Sequence, residues 1–223
     1  MKLFQRAKVI RVVKMLMENQ LSLSYGKILA TKPNNKPFLK NSDWEERIFL
    51  LCQRHGIHGI DQIKTSQIVV AQWVRLKCRY GCEHYNTNWC CPPATVTVKE
   101  AKDILREYKS ALLLSGEADH PYFYRNNSKK RRTQVRFWKG TVAIERELFL
   151  LGYHKAFGLT PESCALCKNC AYPDNCLFPK EKRPSVESFS IDIFQTLKSI
   201  GEEAKVVQNL SDHFKHYSII LLE

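Results

Sequence analysis

The sequence predicts an α/β fold in which a mixed sheet is covered by helices, with cysteine-rich metal loops at strand ends. Two observations lead to this prediction. From about residue 67 onward, apolar or β-branched runs alternate with amphipathic helical patterns. Two groups of cysteines follow runs that have the composition of strands. We expect residues 42–223 to form this metal-binding domain and residues 1–41 to form a short helical appendage with a linker.

The predicted N-terminal arm is strongly basic. Residues 1–40 hold nine Lys and Arg but one acidic residue, Glu18. Residues 2–17 have a helical pattern, which is compatible with packing on the domain or with peripheral contact with a membrane surface or a partner. Residues 31–41 are predicted to be a linker, because two Pro and two Asn interrupt any periodicity.

The domain is predicted to begin with a helix. Ser42 and Glu45 form a capping-box pattern, and the buried stripe that follows contains Cys52, which we therefore interpret as a core residue. Residues 67–77 are rich in β-branched side chains and are predicted to form a strand that leads into Cys78.

The central elements follow the first cysteine group. Thr97 and Glu100 form a second capping box, which predicts a helix to about residue 108. Residues 111–115 are almost wholly apolar and predict a strand in the middle of a sheet covered on both faces. A helix is predicted from about 133 to 151, ending at Gly152.

The last elements surround and follow the second cysteine group. An extended run, 153–159, is predicted before it, and a strand, 217–222, is predicted to end the chain. Between them we expect a helix that Ser185 caps and that ends before Gly201, with its buried stripe formed by Phe189, Ile193, Leu197 and Ile200.

The second cysteine group has the spacing of a ferredoxin-type iron–sulfur motif. It reads Cys-x2-Cys-x2-Cys-x5-Cys, with ligands predicted at Cys164, Cys167, Cys170 and Cys176. Structural zinc sites usually take their cysteines in two separated pairs, so zinc is the alternative metal. The sequence predicts one or two [4Fe-4S] clusters in the chain.

The first group supplies three predicted ligands, Cys78, Cys82 and Cys91. Side chains of adjacent residues diverge in an extended backbone, so one of Cys90 and Cys91 is expected to be a spectator. Cys91 is preferred because prolines follow it, as they follow a ligand cysteine in ferredoxins. The fourth position is left to Cys90, His84, Cys176 or an open iron, and Cys91 is equally able to complete the second group.

A second basic segment precedes the predicted helix at 133. Residues 120–144 hold seven Lys and Arg and no acid. Anion-binding side chains are predicted in a loop at Lys129, Lys130, Arg131 and Arg132. Nucleic acid, an acidic redox partner and a solvated loop that binds nothing are all compatible with this pattern.

Composition restricts the location and chemistry. Nine cysteines, an odd number, fall mainly into tight groups that suit metal binding better than disulfides, which predicts a reducing cytoplasm. No apolar run approaches the ~18 residues of a membrane span. We expect an iron–sulfur protein that transfers electrons. An iron–sulfur enzyme with an open iron, and a nucleic-acid-binding module stapled by zinc or a cluster, are the alternatives.

The order of these motifs resembles a known family. The cysteines of the two groups, followed by Arg183-Pro-Ser-Val-Glu187 and Ile191-Asp192, are similar to a prokaryotic family of predicted metal-binding proteins, the domain-of-unknown-function family 2284. The resemblance covers about residues 65–201 and implies metal binding through both cysteine groups. It implies no reaction. The chain departs from the family pattern where Pro161-Glu-Ser and Ser190 replace glycines, and Cys90 is an additional cysteine.

Overall fold

The computed structural model describes residues 11–12, 14–15, 41–119, 128–204, 206–209 and 212–223. In these residues helices and strands are interspersed along the chain, and the predicted α/β fold class is confirmed. The helices are α1 (Asn41–His55), α2 (Gln72–Gly81), α3 (Val98–Leu105), α4 (Ser128–Leu150) and α5 (Ile193–Ser199), with a 3-10 turn at Thr65–Gln67. The strands are β1 (Gly59–Lys64), β2 (Ser110–Asp119), β3 (Phe157–Leu159) and β4 (His213–Leu221).

The four described strands form one sheet in the order β1-β2-β4-β3. All three neighbouring pairs are antiparallel, so the expectation of a mixed sheet is wrong. The connection from β1 to β2 carries α2 and α3 but returns the chain to the end of the sheet that it left, where Lys64 pairs with Ser110. The two strands therefore run in opposite directions.

Strand β2 lies in the middle of the sheet, as the sequence predicts. Its apolar side chains alternate between two buried clusters, because successive residues of a strand face opposite sides. Leu112 and Leu114 pack in the cluster covered by α1 and α4. Ala111 and Leu113 pack in the cluster covered by α3 and α5. The sheet is thus covered on both faces.

Two helix predictions are confirmed with altered limits. Thr97 accepts a hydrogen bond from the amide of Glu100 at 3.2 Å, and the Glu100 carboxylate accepts one from the Thr97 amide at 2.7 Å. This capping box begins α3, which ends at Leu105. Helix α4 begins at Ser128, so the basic residues 129–132 lie in its first turns and not in a loop.

The segment 67–77 is predicted wrongly as a strand. Three of its four β-branched residues lie before α2, at 68–70, and Val70 makes a single bridge to Ile191. From Gln72 the side chains suit a helix, and within α2 it is Val74 that is buried. A helix satisfies its own backbone hydrogen bonds, so this mostly exposed segment needs no partner strand. No strand is predicted at β1, because its two apolar residues, Ile60 and Ile63, are three residues apart and give no strand alternation.

The predicted Ser185 helix is also corrected. The Ser185 hydroxyl accepts a hydrogen bond from the Ser188 amide at 3.0 Å and closes a tight turn instead. Helix α5 begins seven residues later, where the Asp192 carboxylate accepts the Gln195 amide at 3.0 Å. Ser190, at φ +65°, separates the turn from the helix.

Four residues of the predicted N-terminal arm are described, namely Arg11, Val12, Lys14 and Met15, and all four are helical. Val12 is buried in the cluster beneath α1 and α4, which agrees with packing on the domain. The rest of the arm, the linker at 31–40 and the side chains of the Ser42–Glu45 capping box lie outside the described residues. The boundary at residue 41 stays a prediction. No helix in the described ranges is long and apolar enough to cross a membrane.

Candidate metal centre

The cysteine side chains of interest lie on three segments. Cys78 is near the end of α2, and Cys82 follows that helix. The first group therefore begins in a helix, and the prediction that it begins at a strand end is wrong. Cys90 and Cys91 lie in the connection to α3. The second group lies in the loop after β3, as predicted. All nine cysteines are free thiols.

Eight of the nine cysteines line two adjoining cavities. The first cavity, of about 650 Å³, is lined by Cys78, Cys82 and Cys91. The second, of about 310 Å³, is lined by Cys90, Cys170 and Cys176. Cys164, Cys167 and His84 line both cavities. The fold thus brings together two groups that are separated by more than 70 residues of sequence.

The ninth cysteine is Cys52, which is buried in the core cluster under α1. Burial raises the pKa of its thiol to about 12, as expected for an inert core residue. In the described part of the chain, no three His, Cys, Asp or Glu side chains converge tightly enough to hold a single metal ion. The other eight thiols instead surround cavities.

Cys90 and Cys164 make contact where the two cavities meet. A hydrogen bond from the Cys90 thiol lowers the pKa of Cys164, and the amide of Leu166 acts in the same direction. The same contact raises the pKa of Cys90, which keeps its proton. The prediction that either Cys90 or Cys91 is a spectator fits poorly with these positions, since both are buried and both line a cavity.

Backbone amides point at sulfur atoms of both groups. The Leu166 amide hydrogen-bonds Cys164, the Arg183 amide hydrogen-bonds Cys90, and the Phe178 amide donates to Cys176 Sγ at 3.4 Å. Such bonds stabilise a thiolate, and hydrogen bonds to sulfur also tune iron–sulfur centres. The donor set of these loops therefore fits a thiolate-bound metal group.

Burial disfavours the thiolate form of two cysteines in the first cavity, Cys78 and Cys91. Burial raises the pKa of Cys91 to about 11 and also raises the pKa of Cys78. The Arg75 guanidinium partly opposes the shift at Cys78. Metal binding at these thiols must therefore displace protons, which makes the affinity depend on pH.

Aromatic side chains join the two cysteine loops. Trp89, next to Cys90, contacts the Tyr172 ring edge-on at a centroid distance of 5.0 Å. The Trp89 indole donates to the Asp174 carbonyl at 2.7 Å, and the Tyr172 hydroxyl donates to Asn86 Oδ1 at 3.0 Å. The relative position of the two loops is therefore fixed by an edge-to-face ring contact and by hydrogen bonds.

The buried face of helix α4 packs against the site. Trp138, fully buried, packs with Cys90, Val142 and Leu166 in a small apolar cluster. Its indole donates to the Glu181 carbonyl at 2.8 Å. The buried face of α4 thus positions both Cys90 and the loop of the second cysteine group.

Polar side chains of α4 hold the same loop. Arg131 Nε donates to the Ala165 carbonyl at 3.0 Å, and Nη2 donates to the Leu166 carbonyl at 2.9 Å. Gln134 donates to the Ser163 carbonyl at 2.6 Å. Arg131, which the sequence predicts to bind anions, therefore braces the segment that carries Cys164.

The other predicted anion-binding residues have different positions. Lys130 lines the first cavity. Arg132 is exposed on α4, and the side chain of Lys129 lies outside the described residues. Anion binding by Lys129, Lys130 and Arg132 stays a prediction.

A buried ion pair links α4 to the segment after the second group. Arg183 Nη2 lies 2.5 Å from Glu145 Oε1, and Nε lies 2.8 Å from Oε2. Glu145 Oε2 also accepts the Gly158 amide at 2.7 Å. The Arg183 guanidinium is therefore held by a carboxylate of α4.

Two glutamates that sequence reasoning did not place in the site form part of its wall. Glu162 and Glu187 line both the first cavity and a third cavity of about 890 Å³. Burial raises the pKa of Glu162 to about 7, although Lys130 opposes the shift. Burial also raises the pKa of Glu187, whose Oε2 has no hydrogen-bond partner among the described residues. Glu187 ends the Arg183-Pro-Ser-Val-Glu187 motif, and this motif is the sequence signal that could have indicated it.

Both replaced glycines correspond to unusual backbone. Ser190 has φ +65°, and Glu162, inside the Pro161-Glu-Ser replacement, has φ +57°. Glycine adopts this left-handed conformation without steric cost. A glycine at either position would adopt this backbone conformation without strain.

Comparisons with known proteins agree with this geometry. Searches of curated proteins and of solved structures each gave no match. A family model described as "Predicted metal-binding protein (DUF2284)" matches residues 61–222, which span both cysteine groups and most of the sheet. The chain therefore belongs to the DUF2284 family of predicted metal-binding proteins.

Proposed function

We propose that this protein binds one or two [4Fe-4S] clusters through its two cysteine groups and transfers electrons. The observation that carries the proposal is that eight of nine cysteines line two adjoining cavities. Thiolates are soft ligands that select iron–sulfur clusters, zinc or copper(I) over hard cations. The metal-binding character of the family agrees with this ligand set.

Three features support a cluster over zinc. The second group has the short, repeated spacing typical of iron–sulfur loops. A zinc site gathers its sulfurs ~2.3 Å from one point. The first cavity, at about 650 Å³, is instead many times the ~30 Å³ of one water molecule, which leaves room for a group of several atoms. Amide groups donate to the sulfurs of Cys90, Cys164 and Cys176.

The residues around the thiols suit a redox role. A bound cluster supplies an acceptor and donor for one electron at a time. Cys82 and Cys170 are exposed, so both cysteine groups reach the protein surface. Lys168 and Lys182 lie in or next to the cysteine loops, where positive charge can steer an acidic redox partner. A reducing compartment such as the cytoplasm would keep the eight thiols available for iron.

One observation favours a second candidate, catalysis at an open iron. The carboxylates of Glu162 and Glu187 form a wall between the first cavity and the larger third cavity. A shielded carboxylate oxygen without a partner is typical of a site that receives a ligand or a proton. Full ligation by eight cysteines nevertheless leaves no iron open, and electron transfer is therefore the first choice.

Stepwise reduction tests the redox proposal. We would titrate anaerobically purified full-length protein with dithionite and follow its visible absorption and electron paramagnetic resonance spectrum. We expect bleaching that air-free oxidant reverses over several cycles, with the paramagnetic signal of a reduced cluster. Cys52→Ala serves as a matched control and should behave like the wild type. If bleaching is not reversible, but the spectrum of the cluster changes when a small iron-binding ligand such as citrate is added, the result would favour the open-iron enzyme.

A further inference from the structure

We propose that the protein holds two clusters and that the two cysteine groups each give one ligand to the other group's cluster. The first cluster is bound by Cys78, Cys82, Cys91 and Cys164. The second is bound by Cys90, Cys167, Cys170 and Cys176. This assignment rests on the proposed iron–sulfur function and adds the number of clusters and the ligands of each.

The walls of the two cavities separate six of the eight thiols. Cys78, Cys82 and Cys91 line the first cavity but not the second. Cys90, Cys170 and Cys176 line the second but not the first. The division does not follow sequence order, because Cys90 stands with two cysteines that lie about 80 residues away.

The remaining two thiols line both cavities and complete the two sets. Ser163 and Ala165, which flank Cys164, line the first cavity and not the second. Leu166 and Asn169, which lie on either side of Cys167, line the second cavity and not the first. Giving Cys164 to the first cavity and Cys167 to the second yields four thiols for each, the number that a [4Fe-4S] cluster takes.

The adjacent pair Cys90 and Cys91 accounts for the exchange. Side chains of consecutive residues in extended or loop backbone point in different directions, so two neighbouring thiols seldom bind one metal group. Here each thiol of the pair is buried and lines a different cavity. Two clusters give both residues a ligand role, whereas one cluster leaves a buried thiol unused.

The contact between Cys90 and Cys164 marks the boundary of the two sites. In the exchanged assignment, these two packed residues belong to different clusters. The chain therefore links the sites directly through a ligand of each.

The test uses four single substitutions in the full-length protein, reconstituted without oxygen from ferrous iron and sulfide. They are Cys78→Ala, Cys90→Ala, Cys164→Ala and Cys170→Ala, with Cys52→Ala as the control. Wild type and control should hold about eight irons and eight sulfides, and each other variant about four. The spectrum of the dithionite-reduced protein identifies the cluster that remains.

The expected result is a crossed pairing of spectra. Cys164→Ala should match Cys78→Ala, with the second cluster left, and Cys90→Ala should match Cys170→Ala, with the first left. If Cys90→Ala matches Cys78→Ala instead, or keeps all its iron, the exchange is wrong. About four irons in the wild type would also overturn it, while the iron–sulfur function would stand. Zinc without sulfide would remove the proposed function itself. Serine replaces alanine in any variant that does not fold.

Discussion

Arg131 offers a direct test of how the second cysteine loop is held. The sequence indicates an anion-binding side chain, but the guanidinium donates to the carbonyls of Ala165 and Leu166 at 3.0 and 2.9 Å. We expect Arg131→Met to loosen the loop that carries Cys164. Arg132→Met, the matched control, removes the same charge from the next residue of α4.

The size of the effect follows from the two hydrogen bonds. A charge-assisted bond in a sheltered place contributes ~1.5–3 kcal/mol, but the Arg131 side chain is exposed, so each bond is worth less. A total of about 1–2 kcal/mol is reasonable, which corresponds to about 5- to 30-fold in an opening equilibrium. Arg132→Met should cost less than Arg131→Met, because it breaks neither of these two hydrogen bonds.

Two assays measure the loss. Urea unfolding of the metal-free protein gives the change in the free energy of unfolding, and iron extraction by a chelator from the loaded protein reports opening of the loop. Arg131→Met should lower the first and accelerate the second by the amounts above. Equal behaviour of Arg131→Met and Arg132→Met in both assays would refute the bracing role.

Three further predictions concern the fold around the site. Ser190→Gly should raise the free energy of unfolding by about 1 kcal/mol, because the residue has φ +65°, whereas Ser190→Ala keeps the strain; equal stability of the two variants would contradict this. Glu145→Gln should lower the free energy of unfolding by about 3 kcal/mol, because it leaves the Arg183 charge buried without its charged partner. Glu147→Gln is the control: its ion pair with Arg47 is more exposed, so the loss should be under about 1 kcal/mol. Burial lowers the pKa of His216 from 6.5 to about 4, so the unfolded chain takes up the proton first and stability falls by up to about 3 kcal/mol between about pH 6.5 and 4. Chemical unfolding of His216→Gln over this pH range should show a smaller slope than wild type, and an identical slope would exclude the histidine as the cause.

Elements with their own local signals were predictable from the sequence. The Thr97–Glu100 capping box places the start of α3, because both hydrogen bonds lie within one turn. The run Ala111–Ser115 predicts a central strand, because its four consecutive apolar side chains need cover on both faces of a sheet. The cysteine spacings likewise indicate metal loops, since the ligands of each group are close in sequence.

Features that depend on distant contacts were not predictable. Segment 67–77 has strand-forming side chains, but from Gln72 it forms α2, so the local propensity is overridden. Arg131 carries the same charge as Arg132, and only the position of the cysteine loop makes it a brace. Cys90 is an additional residue in the sequence pattern, whereas the fold places it in the lining of the second cavity with Cys170 and Cys176.

The most direct test of the account is the iron, acid-labile sulfide and zinc content of full-length protein purified without oxygen. The eight thiols around two cavities predict about eight irons and eight sulfides per chain, and no stoichiometric zinc. About one zinc per chain with no sulfide would contradict the iron–sulfur account.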